Sequence, residues 1–155
     1  MADLAFPNVY SEGTFYQYDP GVGEPRFWRY DSNITGTWRS VRSYLRTYNR
    51  YGSLAPNTGN VQFFSTANLT ITNISASCIN PPLSGNINIV VVKDGANVAN
   101  LVISAGNTQS PAVNYYSNYA SLTLTSGDYL TINLANTNAT YYGNNLSVVF
   151  RYVYT

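Results

Sequence analysis

Asp19, Glu24 and Asp31 are the side chains of this chain that could most plainly do chemistry as a group. Two carboxylates at a set separation are enough to hydrolyse a glycosidic bond, one as acid and the other as base or nucleophile. All three lie in an irregular stretch rich in Pro and Gly, where an acid more often caps a turn or stays solvated. The rest of the inventory gives catalysis little to work with. The chain has no histidine, the commonest general base and metal ligand. Cys78 is the only cysteine, so no internal disulfide and no zinc site of the usual kind can be built. Nothing stands ready to activate its thiol, and a lone cysteine reads first as a small buried hydrophobe. There is no phosphate loop, no GxGxxG after a strand and no GxSxG elbow. A non-enzymatic protein is expected, with no cofactor, no metal and no small-molecule substrate.

The segment TWRSVRSYLRTYNRYG, residues 37–52, offers a different chemistry. It holds Arg39, Arg42, Arg46 and Arg50, while the hundred residues after Arg50 carry one cation, Lys93. Arginine without lysine favours planar, bidentate pairing with carboxylate or phosphate, and stacking on aromatic rings. Phosphate is the weaker reading. The net charge is +1, and residues 1–25 carry Asp3, Glu12, Asp19 and Glu24 with no cation, whereas nucleic-acid affinity scales with the phosphates neutralised. Membrane binding wants a wider apolar face and more lysine. Two readings stay open: a solvated polar face, or arginines that meet an acidic protein surface, on a partner or on another copy of the chain.

The element that must position these arginines reads as a helix. Trp38, Val41, Leu45 and Tyr48 recur at spacings of three and four, as do Arg39, Arg42, Arg46 and Arg50. On a helix the two stripes stand roughly 125° apart. Thr35 or Thr37 can cap the start and Gly52 the end. One short basic amphipathic helix is therefore expected over 37–51. Before it, residues 1–36 show no periodicity, and DPGVGEP at 19–25 is turn chemistry throughout. The many aromatics there, among them Trp28 beside Arg29, point to an irregular arm that packs on something.

From Val61 onward the pattern is β. VQFFST, NLTITNIS, INIVVVKDG, VANLVIS, SLTLTSGDYLTINL and NLSVVFRYVY are rich in β-branched and aromatic residues and are separated by Asn, Gly, Pro and Asp. KDG at 93–95 and SGD at 126–128 read as turns. The continuous run IVVV at 89–92 requires a central or doubly covered strand. Short strands with regular turn signals argue for a sandwich or barrel. The division expected is 1–60 as arm and helix, for docking or assembly, and 61–155 as a β-sandwich body.

Charged residues make up 10% of the chain, against a usual figure of about 25%. Tyr, Asn, Ser, Thr and Gly replace them, which fits the polar uncharged surface common on extracellular and virion proteins. MADLAFPNVYSEG lacks the basic and apolar regions of a signal peptide, and no run of about 20 apolar residues exists to span a membrane. Assembly in a host cytoplasm followed by lysis would fit.

LTLTSGDYLTINL at 122–134 and the final NLSVVFRYVY resemble the closing strands of jelly-roll modules of the C1q/TNF-like kind, over roughly 61–155. Similar modules occur in bacteriophage capsid decoration and cement proteins, head fibres and tail spikes. The resemblance implies an all-β, jelly-roll-like antiparallel sandwich that forms a homotrimer and docks on the major capsid protein at the virion surface through its N-terminal region. Trp28, Arg29, Trp38, Arg39, Arg42, Arg46 and Arg50 would make that contact, aromatic anchors and arginines being typical of binding hot spots. The chain lacks the acidic clusters that hold calcium in some such modules. The alternative is a receptor- or carbohydrate-binding knob of a fibre or spike, with Tyr115, Tyr116, Tyr119, Tyr141 and Tyr142 as a loop-borne aromatic platform.

Overall fold

A computed structural model describes residues 6, 11–12, 15–18, 26–32, 37–59, 61–114, 122–135 and 143–155. These residues form an all-β structure with antiparallel pairing throughout and no helix. The strands are β1 (Phe15–Tyr18), β2 (Arg26–Asp31), β3 (Thr37–Val41), β4 (Tyr44–Ser53), β5 (Val61–Phe64), β6 (Leu69–Asn80), β7 (Asn86–Lys93), β8 (Ala96–Ser104), β9 (Val113–Asn114), β10 (Leu122–Leu124), β11 (Tyr129–Ala135) and β12 (Asn144–Tyr154).

The body has two sheets. One runs β10-β6-β12-β4, with β9 also paired to β6; the other runs β5-β11-β7-β8. Their apolar faces meet in one core that includes Ile71, Ile74, Val148 and Phe150 from the first sheet and Ile89, Leu101, Leu130 and Ile132 from the second. Burying each of these side chains is worth about 1.5–3 kcal/mol, which is what orders so many Asn- and Ser-rich strands. IVVV lies in β7, which is central in its sheet as its continuous apolar run requires. Asp94 and Gly95 close the β7–β8 hairpin with positive φ at both positions (46° and 89°), as a two-residue turn of this hand demands.

The SGD turn does more than reverse the chain. β10 pairs with β6 in one sheet, and β11 pairs with β5 and β7 in the other. The turn is therefore an arch between sheets. Leu122 and Leu124 on one side and Leu130, Ile132 and Leu134 on the other all point into the space between them. In β12 the alternation Leu146, Val148, Phe150 stays on the core side. A bulge opposite Arg151 and Tyr152 places Thr72 as the extra residue of β6, and the Thr72 hydroxyl donates to the Arg151 carbonyl at 3.1 Å. Cys78 is buried in the core, where loss of hydration pushes its thiol above the ordinary value.

Two expectations are corrected. Residues 37–51 do not form a helix: they are β3 and β4, and β3 belongs to a separate three-stranded sheet, β1-β2-β3. The helical stripes ran across Arg42 and Ser43, where the chain passes from one sheet to the other. On either side the composition is β-prone, with Thr37, Trp38, Val41, Tyr44, Thr47, Tyr48 and Tyr51. The alternation was also hidden, because the core-side positions of β4 are Tyr44, Arg46, Tyr48 and Arg50 rather than aliphatic residues. Tertiary pairing with β12 along this strand outweighed the spacing. The second correction is to the irregular arm. Phe15–Tyr18 and Arg26–Asp31 form an antiparallel pair, and cross-strand aromatic contacts stabilise it.

Candidate functional site

The three-stranded sheet sorts its side chains by parity. Pairing sets Tyr16 opposite Trp28 and Tyr18 opposite Arg26. It also sets Trp28 opposite Ser40 and Tyr30 opposite Trp38. One face thus gathers Tyr16, Tyr18, Trp28, Tyr30 and Trp38, every one half-buried. Phe6 lies on this face. Its ring stacks on Trp38 at 5.1 Å and meets Tyr16 and Trp28 edge-on at 5.2 and 5.7 Å. Such pairs add about 0.5–1.5 kcal/mol each beyond the area they bury.

The other face is mixed: Phe27, buried, stands opposite Val41, and charged residues follow. Arg29 stands opposite Arg39. Glu12 pairs with Arg29 at 3.6 Å and Asp31 with Arg39 at 3.5 Å. Glu12 also accepts from the Ser32 amide at 2.5 Å and from its hydroxyl at 2.7 Å. These bonds, the backbone one first, hold the Glu12 carboxyl below its usual range.

Ser43 joins this sheet to the body and accepts from the Arg151 guanidinium at 3.3 Å. From there β4 runs along β12, so that this strand of the 1–60 segment is part of a sheet of the body. Tyr44 stacks on Tyr152 at 5.7 Å, and Arg42 lies over the Tyr44 ring at 5.5 Å. Arg46 crosses to the opposite sheet, its guanidinium 4.7 Å from the centre of the Phe63 ring. Arg50 is half-buried opposite Leu146. Tyr152, packed against Tyr154 and Tyr44, is pushed above the ordinary phenol value, first by burial.

The structure therefore divides the expected contact residues into three groups. Trp28 and Trp38 share the aromatic face; Arg29 and Arg39 share the opposite one; Arg46 and Arg50 share the core side of β4, with Arg42 at the link. The single arginine stripe of the helical reading does not exist. Phe6 and Glu12, which pack against the small sheet from outside its strands, were missed as contributors, while the i, i+2 spacing of Tyr16 with Tyr18 and of Trp28 with Tyr30 was available. Tyr115, Tyr116, Tyr119, Tyr141 and Tyr142 lie outside the described residues, as do Asp19 and Glu24. Asp31 is engaged by Arg39. Among the described residues no three His, Cys, Asp or Glu side chains are grouped to hold a metal ion.

No known protein family, curated protein or solved structure matches the chain.

Proposed function

We propose that this chain is a non-enzymatic structural protein of a virion, a cement or decoration protein that docks on a capsid shell through its N-terminal sheet and the arginines beside it. The observation that carries the reading is the aromatic face of β1-β2-β3. It gathers two tryptophans and three tyrosines, half-buried, outside the sandwich core. Aromatic residues with arginine at the margin are the side chains that dominate binding energy at protein interfaces. The body supports the same reading. Two four-stranded paths ordered β10-β6-β12-β4 and β5-β11-β7-β8, with the chain crossing between them, follow the connectivity of an eight-stranded jelly roll, an architecture used in capsid proteins.

In this account Trp28 and Trp38 anchor the contact. Arg29, Arg39, Arg42, Arg46 and Arg50 select an acidic patch on the major capsid protein and set orientation. The body projects from the shell, and copies assemble as a homotrimer. Shells of the virus that encodes the chain, heated with and without it, test the cement role. A higher disruption temperature in its presence supports the proposal. Equal temperatures with the chain bound would make it a projecting knob instead, and a glycan array would then find its ligand. Light scattering tests the trimer against the chain mass of 17.1 kDa.

A further inference from the structure

Among the described residues, the unpaired edge of β4 is the longest strand edge that carries charge. β4 ends its sheet, and among the described residues no strand pairs with its second side. Ten residues thus present a row of amide and carbonyl groups able to take another strand. β8, which ends the other sheet, is ANVANLVIS and carries no charge. Along β4, Tyr44, Arg46, Tyr48 and Arg50 alternate on the core side, at the margin of the sandwich. Arg46 is exposed, and its guanidinium carbon lies 4.7 Å from the centre of the Phe63 ring.

Among the described residues, no carboxylate answers the arginines of this edge. The four described carboxylates are all committed elsewhere: Glu12 to Arg29, Asp31 to Arg39, and Asp94 and Asp128 to Lys93. None of them forms an ion pair with Arg42, Arg46 or Arg50. A second β4 would make a poor occupant, because two-fold pairing sets arginine against arginine in some registers and, where arginine meets tyrosine, still leaves arginines of the two strands as diagonal neighbours.

We propose that the edge of β4 is a docking site for an extended acidic segment of a partner protein, which adds to the sheet as an antiparallel strand. Its register follows from β4. Partner residues opposite Arg50 and Arg46 are acidic, the one between them, opposite Tyr48, is apolar, and the next core-side residue meets Tyr44. The pattern is acid-x-apolar-x-acid-x-apolar. This deepens the docking role proposed for Arg42, Arg46 and Arg50, but a peptide tests it without a shell, so either can fail while the other stands.

The test is hydrogen exchange of the full chain, read over residues 44–53, with the heptapeptide ETVTETV and its control KTVTKTV. ETVTETV slows exchange there by about fivefold or more at low salt and loses this effect in high salt, while KTVTKTV has none. In the variant R46E/R50E the preference inverts. Because Arg46 also supports Phe63, Arg50→Glu alone is paired with KTVTETV, which it binds in preference to ETVTETV. Three results would overturn the proposal: no protection by either peptide, equal protection by both, or a β4 edge already protected in the free chain. The last would mean that its own arm or a second copy occupies the edge.

Discussion

The guanidinium of Arg46 lies over the ring of Phe63, 4.7 Å from its centre, and so ties β4 of one sheet to β5 of the other. An arginine at a core-side position is tolerated there because its stem covers apolar surface while its head stays in water at the edge. Arg46→Ala should destabilise the body by about 1 kcal/mol, with Arg46→Lys losing less. Urea unfolding of the three proteins measures this.

The same residue shows what was legible in the sequence. Apart from the two-residue β9, the strands from β5 to β12 were readable from their β-branched, aromatic and alternating aliphatic residues, and the KDG and SGD turns carry the residues that their geometry needs. β4 was not readable, since tyrosine and arginine fill its core side and aliphatic Leu45 points outward, 56% exposed. That inversion produced the helical spacing. That Trp38 joins Trp28 and Tyr30 on one face depends on the register between β2 and β3, which no local pattern reveals. Arginines four apart look like a stripe on a helix and are equally one face of a strand.

The two tryptophans of the chain both lie in the small sheet, so tryptophan fluorescence, excited beyond the absorption of the fifteen tyrosines, reports on that sheet. Phe6→Ala removes the ring stacked on Trp38 and should shift tryptophan emission to the red. Strand content and the unfolding midpoint of the body, followed by circular dichroism, should stay unchanged. A lowered midpoint would mean that the small sheet supports the core.

Asp128 accepts from Lys93 at 2.9 Å and from the Thr125 amide at 2.8 Å, bonds that hold its carboxyl below the ordinary aspartate range, Lys93 contributing most. A carboxyl depressed in the folded state stabilises it fully above its unfolded pKa, and the stabilisation fades as pH falls through the folded value. Glu12, held below the ordinary glutamate range by its bonds to Ser32, behaves likewise. Stability should therefore fall on acidification below about pH 4.5, and Lys93→Ala should raise the Asp128 titration midpoint, read by carboxyl NMR.

Gly59 approaches the β11 backbone so closely that a Cβ would collide with the Ile132 carbonyl, while its amide donates to Asn133 at 2.8 Å. Gly59→Ala should cost about 3 kcal/mol. A Cβ at Gly52 meets nothing within 4 Å, so Gly52→Ala should cost only the strain of its positive φ, about 1 kcal/mol. Thermal unfolding ranks the two.

The central claim is that the N-terminal sheet and its arginines dock the chain on a shell. Cosedimentation with capsid shells, those of the virus proposed as the chain's source, tests it most directly, comparing wild type with Trp28→Ala, Trp38→Ala and Arg42→Glu, each first shown to be folded. The account predicts saturable binding by wild type, weakened at least tenfold (about 1.4 kcal/mol) by each substitution. Wild-type binding that all three variants match would place the docking surface elsewhere and contradict it.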